Sequence, residues 1–205
     1  MEIIQGKAAL FMDKLTLAER ASGYDRIHLD IGTGDGRYVE HLARANPRLF
    51  VIGIDACREN LRERSRRAPL NALFAIANAL ALPPELHGAA SQVTINFPWG
   101  SLLNGLLSGD LLTGLEAVMR PGAALDIRLN GGALAEAGWS LEEGGARMRE
   151  RLAAYGFTMQ PTTHLSAAAL KAYPTTWAKR LAFGRDPRAA HVRGARRADI
   201  VTRIA

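Results

Sequence analysis

Apolar and polar positions along this chain follow two rhythms, and the rhythm switches repeatedly from one to the other. Glu2 to Gln5 reads as extended, Gly6-Lys7 as a turn and Ala8 to Met12 as a second apolar arm, which predicts a short N-terminal hairpin within residues 1–15. A helix is expected from Thr16, with its hydroxyl as the cap and Glu19 closing a capping box, and it stops near Gly23. Arg26 to Ile31 alternates as a strand does. Tyr38 to Ala45 is helical and halts before Pro47. Leu49 to Asp55 is a continuous apolar run, the mark of a strand buried on both faces of a parallel sheet.

Beyond it, Arg58 to Arg67 reads as a helix, Leu73 to Ala77 as a third strand and Ser91 to Phe97 as a fourth. Leu102 to Met119 is helical with a glycine break, Ala123 to Leu129 is a fifth strand, and Leu141 to Tyr155 is a further helix. Thr158 to Leu165 and Ile200 to Ile204 supply the last two strands. Strands alternating with helices predict an α/β fold: one domain over 1–205, with a doubly wound, mostly parallel seven-stranded sheet and the hairpin as an extension. In such sheets the ligand crevice lies at the carboxyl ends of the strands.

Composition narrows the class. Hydrophobic residues at 48% and charged residues at 22% are globular values. The single cysteine, Cys57, excludes a disulfide framework and a cysteine-rich zinc module. Neither a signal peptide nor a membrane span is legible, so a soluble, cytoplasmic protein is expected. The five histidines show no ligand spacing, and no metal is assigned.

The strand ending at Ile31 runs into Asp30-Ile31-Gly32-Thr33-Gly34-Asp35-Gly36, which then opens a helix. Glycines here permit positive φ and let backbone amides approach a ligand. Asp55 ends the next strand, where a carboxylate can accept both hydroxyls of a ribose. A dinucleotide fold shows Gly-x-Gly-x-x-Gly with a helix N-terminus aimed at a pyrophosphate. Here the glycines alternate, and the leading Asp30 suits an ammonium and a sulfonium. The bland alternative is a turn that merely joins two elements. The pattern resembles the first motif of class I methyltransferases, which implies S-adenosylmethionine as cofactor.

The fourth strand ends in Asn96-Phe97-Pro98-Trp99-Gly100-Ser101, beside the place where a methyl acceptor should lie. Pro98 stiffens the turn, and Trp99 offers a flat face for stacking a base. The segment resembles the Asn-Pro-Pro-Tyr element of adenine N6-methyltransferases, from which Phe97 and Trp99 depart. A second tryptophan stands in Thr175-Thr176-Trp177-Ala178-Lys179-Arg180-Leu181. Either tryptophan alone is more often a core residue; together they could face a flipped base from both sides. Trp139 is read as packing.

Phe97-Pro98-Trp99-Gly100-Ser101-Leu102-Leu103, the later Thr-Trp-Ala-Lys-Arg-Leu block and the hairpin resemble, along nearly the whole chain, the 16S rRNA (adenine-1408-N1)-methyltransferases of the kanamycin–apramycin resistance type. That resemblance implies that Trp99 and Trp177 hold the target adenine and that Thr175 supports the site. It places the cofactor against Asp30, Gly32, Gly34, Asp55, Ala79, Leu80, Asn96, Phe97, Pro98, Ser101, Thr175 and Thr176. The loop after the third strand lacks the acid many class I enzymes carry there, so backbone amides around Asn78-Ala79-Leu80 are expected to read the adenine of the cofactor.

Charge adds a partner. The chain carries a net +6, with a sequence pI near 10.0. Arg58, Arg62, Arg64, Arg66 and Arg67 crowd one predicted helix beside only two glutamates. From Lys179 onward eight Lys and Arg meet two Asp, a surplus of six. Such a run is usually a solvated face. Two arginine-dominated clusters, one beside an aromatic segment, favour phosphate binding. Arg58, Arg62, Arg66, Arg67, Lys179, Arg180 and Arg185 are therefore the expected RNA contacts, with 16S rRNA in the assembled 30S subunit as partner and a monomeric enzyme. Adenine N1 has a free lone pair at neutral pH and needs no general base, only positioning. The rival readings are an adenine N6- or guanine N2-methyltransferase, and a non-catalytic protein that binds cofactor and RNA.

Overall fold

The computed structural model describes residues 1–184 and 187–198. In chain order it runs β1 (Glu2–Gln5), β2 (Ala8–Phe11), α1 (Lys14–Ala21), β3 (Arg26–Ile31), α2 (Arg37–Ala45), β4 (Leu49–Asp55), α3 (Arg58–Arg66) and β5 (Ala72–Ile76). Two single 3-10 turns follow, Ala79–Ala81 and Pro84–Leu86, and then β6 (Ala90–Asn96), α4 (Gly100–Ser108), α5 (Leu112–Val118) and β7 (Met119–Asn130). The remainder is α6 (Gly131–Glu136), α7 (Leu141–Ala154), β8 (Phe157–Met159), β9 (Thr163–His164), α8 (Ala167–Ala172), α9 (Thr176–Phe183) and β10 (Ala189–Arg196).

One sheet takes the order β2-β1-β5-β4-β3-β6-β7-β10-β8, with β9 on β10. Its centre, β5-β4-β3-β6-β7, is parallel, so the expected α/β layout holds, but ten strands among the described residues join the sheet where seven were expected. Alternate residues of the central strands feed opposite faces. Phe50, Ile52 and Ile54 join the larger core with Leu29 and Ile31, while Val51 joins Val39, Leu61 and Phe74 on the other side. Both faces being covered explains why β4 reads as an unbroken apolar run. The hairpin forms as expected, turning at Gly6 with φ of 63°. It also does more, since β1 pairs antiparallel with β5 and closes that flank of the parallel centre.

Several boundaries differ from expectation. Helix α1 is capped by the Asp13 carboxylate, which accepts from the Thr16 amide, so Thr16 lies inside the first turn and is not the cap. The capping box is instead at Ser140 and Glu143, ahead of α7. The glycine break expected within Leu102–Met119 falls at Gly109, with φ of 103°, and divides the segment into α4 and α5. The single strand expected over Thr158 to Leu165 is two fragments, β8 and β9. Both pair with β10, an antiparallel strand that lies between β7 and β8. β10 was not read from the sequence. Its Ala189-Ala-His-Val-Arg-Gly-Ala-Arg196 mixes charge and small residues, because only three of its eight positions, Ala189, Ala190 and Val192, are buried. The expected strand Ile200 to Ile204 and the expected RNA contact Arg185 lie outside the described residues.

Candidate active site

At the carboxyl ends of β3, β4, β5 and β6 a cleft of about 520 Å³ opens, lined from three sides. The glycine turn forms its floor. Gly32, Gly34 and Gly36 all take positive φ, at 72°, 58° and 72°. At Gly32 a Cβ would come within 2.4 Å of Leu102 Cδ2, and at Gly36 within 2.5 Å of the Phe74 ring. Leu102 and Phe74 therefore press this turn against the sheet, and only glycine fits there. The Gly32 and Thr33 amides are spent on the Ile54 carbonyl.

Asp55 ends β4 beside this turn. Its Oδ2 accepts from the Gly34 amide (2.8 Å), and its Oδ1 accepts from the Cys57 amide (2.9 Å) and from Asn60 (3.3 Å). Those bonds hold the carboxylate at the edge of the cleft. Asp30, at the end of β3, is buried at the back. Its Oδ1 accepts from the Thr94 hydroxyl (2.6 Å) and from the Asn96 amide (2.9 Å). Burial raises its pKa to about 6, against the pull of those donors and of the nearby Arg128 cation.

The sign of this shift gives a prediction. Asp30 holds its proton more tightly folded than unfolded, so its ionisation weakens the fold as the pH rises from about 4 through about 6. Cation binding runs the other way, because only the carboxylate attracts an ammonium group. Affinity for a cationic ligand in this cleft is expected to fall as the pH drops through about 6, and Asp30→Asn is expected to remove that step. Titration calorimetry between pH 5 and 8 (roughly the span over which this group titrates) checks both. A wild-type affinity that is flat across that range would refute the role of Asp30.

The mouth of the cleft is aromatic. Asn96 leaves β6 and Phe97 turns sharply at φ of 54°, the only non-glycine positive φ among the described residues. Such a conformation costs on the order of 1–3 kcal/mol and survives where the surroundings impose it. Here the Phe97 ring is buried against Leu170, Ala178, Leu181 and Ala189, and its amide donates to the Arg128 carbonyl at 2.7 Å. The turn delivers Trp99 to the rim. From across the cleft, α9 delivers Trp177. Its cap is Thr175, whose buried hydroxyl accepts from the Ala178 amide (2.9 Å), and Thr176 donates to Asp35 of the glycine turn (2.9 Å). The two indoles stack directly, with centroids 5.5 Å apart and planes 23° from parallel. They are 41% and 39% exposed, so neither is a core residue. A base held between them would set the rings two stacking distances apart, so its entry must part the pair. Arg180 lies over the Trp177 ring at 5.2 Å and also lines the cleft.

The structure thus brings together Asp30, Gly32, Gly34, Asp55, Ala79, Asn96, Phe97, Pro98, Trp99, Ser101, Thr175, Thr176, Trp177 and Arg180. Leu80 is the exception among the expected cofactor residues. It does not line the cleft: its amide is taken by Asn78 Oδ1 (3.0 Å), and its side chain lies over Gly105. Reading of an adenine by that amide would require the Asn78 bond to break.

The basic residues divide by place. Arg58, Arg62, Arg66 and Arg67 are exposed along α3, which starts just after Asp55, although Arg58 also pairs with Glu2. Lys179 and Arg180 are exposed on α9. The rest of the C-terminal surplus is not one surface. β10 runs back along β7, so Arg196 and Arg197 reach the Met119 and Ala153 carbonyls at the end of the sheet away from the cleft. Residues that sequence reasoning missed include Arg128, Tyr38 and Tyr173. Tyr173 stands directly before Pro174 and the Thr175 block, and that aromatic–proline junction was the available signal.

Comparison with known proteins identifies relatives along nearly the whole chain. The family model described as NpmA, 16S rRNA (adenine(1408)-N(1))-methyltransferase, matches residues 2–196. The chain is 32% identical over 208 residues to the 16S rRNA (adenine(1408)-N(1))-methyltransferase of Escherichia coli, covering 90% of this chain and 94% of that one. A mutant of the 16S rRNA (adenine(1408)-N(1))-methyltransferase from Catenulisporales acidiphilia, solved with cosubstrate SAM, superposes with a TM-score of 0.86 at 27% identity over 98% of both chains. The aminoglycoside resistance methyltransferase NpmB1 gives 0.80 at 29% identity, covering 95% of this chain and 98% of that one.

Proposed function

The chain belongs to the 16S rRNA (adenine(1408)-N(1))-methyltransferase family, and from that membership we propose that its cofactor cleft lies between the glycine turn and Asp55 and its base slot between Trp99 and Trp177. The enzyme is S-adenosylmethionine-dependent and methylates N1 of adenine 1408 in 16S rRNA, a modification tied to aminoglycoside resistance in its relatives. The observation that carries the site assignment is the pair of half-exposed, mutually stacked indoles at the mouth of the glycine-turn cleft.

S-adenosylmethionine supplies an electrophilic methyl group on a sulfonium. Asp30 supplies a carboxylate to its cationic end, the tight turn at Gly32 and Gly34 leaves room for it, and Asp55 accepts its ribose hydroxyls. These residues fit such a ligand: Asp30 is a buried carboxylate facing a cavity, and the floor excludes side chains. Trp99 and Trp177 part to admit the flipped base and hold its N1 toward the cleft. Methylation leaves the base cationic, and two indole faces stabilise that charge. Positioning then supplies most of the catalysis. Thr175 braces the slot by fixing the first turn of α9.

The substrate in this reading is the assembled 30S subunit, met in the cytoplasm by a monomer. No helix of the described residues is long and apolar enough to cross a membrane. Arg62, Arg66 and Arg67 on α3 and at its end, together with Lys179 and the cleft-lining Arg180 on α9, grip the RNA backbone. Removing the charge from Arg62, Arg66 and Arg67 together is expected to weaken 30S binding and flatten its salt dependence by roughly two to three in slope, with cofactor affinity unchanged. An unaltered slope would leave α3 a merely solvated face.

Methyl transfer from labelled cofactor to purified 30S subunits, followed by primer extension, tests the whole reading. N1 methylation blocks the Watson–Crick edge and stops the polymerase at the modified adenine, whereas N6-monomethylation lets it pass. A stop elsewhere, or no transfer, overturns the assignment.

A further inference from the structure

Tyr173 belongs to neither wall of the cleft, yet it touches both. Its hydroxyl donates to Asn96 Oδ1 at 2.9 Å, and the amide of that same Asn96 donates to Asp30 Oδ1 at 2.9 Å. Its ring stacks on Tyr38 of α2, with centroids 5.4 Å apart and planes 24° from parallel. The Arg128 guanidinium lies over it at 4.1 Å, and the Phe97 ring meets it edge-on at 6.3 Å. Its backbone closes the chain of contacts. The Tyr173 carbonyl accepts from the Thr175 amide at 2.9 Å, and Thr175 is the cap that starts α9 and so sets where Trp177 stands.

Asn96 has an amide with two ends, and the network fixes which way it faces. Its nitrogen must point at Asp30 while its oxygen takes donors from Tyr173 and, at 3.4 Å, from Arg128. Burial holds the Tyr173 hydroxyl well above the ordinary tyrosine range, so it remains a donor at every working pH. Trp99 lies three residues beyond Asn96 on one side, and Trp177 four beyond Tyr173 on the other.

We propose that Tyr173 is a positioning residue that ties the cofactor cleft to the base slot, orienting Asn96 through its hydroxyl and anchoring the start of α9 through its ring and backbone. Methyl donor and target base are held by elements far apart in sequence, and Tyr173 is where those elements meet. The inference rests on reading Trp99 and Trp177 as the slot.

Tyr173→Phe keeps the ring and removes only the hydroxyl. Its single-turnover methyl transfer to 30S subunits is expected to fall roughly ten- to a hundredfold, as a small misplacement near reacting atoms does. Its 30S affinity should stay within about twofold, because docking rests on the arginines. If Tyr173 acts through Asn96, the same substitution in an Asn96→Ala background should cost less than about twofold more, since coupled residues are not additive. All rates are taken well below each variant's melting midpoint, so loss of fold does not enter. A wild-type rate in Tyr173→Phe, or a full multiplicative loss in the Asn96→Ala background, overturns the proposal. Failure of the slot itself is distinguishable, because Trp177→Ala would then stay active whatever Tyr173→Phe does.

Discussion

Replacing either Trp99 or Trp177 with alanine is expected to abolish or strongly reduce methylation of the 30S subunit while the protein stays folded and still docks. The expectation follows from exposure. A buried tryptophan cut to alanine costs about 3–5 kcal/mol, but these indoles are 41% and 39% exposed and lean mainly on each other. Losing one ring forfeits the mutual stack, worth about 0.5–1.5 kcal/mol, which shifts the melting temperature by only a few degrees. The base loses more. Stacking contributes about 1–3 kcal/mol per base, and a flipped adenine with one wall missing is both weakly held and free to tilt. Phenylalanine, a smaller π-face, should restore part of the rate. Melting temperature, 30S affinity and methyl transfer on the four alanine and phenylalanine variants separate the effects. A Trp177→Ala protein that melts normally and methylates at the wild-type rate would end the slot assignment.

The second large effect lies on the cofactor side. Asp55→Ala is expected to weaken S-adenosylmethionine binding about 10- to 100-fold, since each hydrogen bond to a charged group contributes roughly 1.5–3 kcal/mol. Beyond the ribose bonds, the Gly34 amide loses its acceptor and the turn loosens. Gly32→Asp should be more severe. Its φ of 72° disfavours a side chain, its Cβ would overlap Leu102 Cδ2 at 2.4 Å, and a second acid would face Asp30. Binding should become undetectable by calorimetry. Unchanged affinity in both variants would place the cofactor elsewhere.

The parallel centre of the sheet was legible because burial on both faces leaves long apolar runs, as in Leu49 to Asp55. The glycine turn was legible because positive φ and close packing leave almost no choice of residue. The edges were not. β10 carries His191, Arg193 and Gly194, a pattern that reads as loop because its ladder partners, and not its own side chains, hold it in place. At α1 the expected Thr16–Glu19 capping box missed the true cap, Asp13, which lies three residues earlier and accepts from the Thr16 amide. In the site, the glycine turn, Asp55 and the two tryptophan blocks could be picked out from motif and spacing, and the other expected residues came from the family resemblance. Arg128 and Tyr38 could not be picked out, and Tyr173 left only its junction with Pro174, because their roles arise from contacts across 45 to 135 positions.

The place of β10 in the sheet also bears on the order in which the molecule can be completed. β8 pairs with no described strand other than β10, and α8 and α9 lie in the chain between β9 and β10. A chain synthesised only as far as Asn130 already holds the glycine turn, Asp55 and Trp99, the parts of a cofactor cleft. It has no second wall until residues 189–196 have been made and have slid in beside β7. Such late, non-local pairing is slow relative to helix formation. The pairing of β10 with β7 thus ties the segment that carries Thr175 and Trp177 to the parallel centre of the sheet, and one cleft is lined by parts made early and late in the chain.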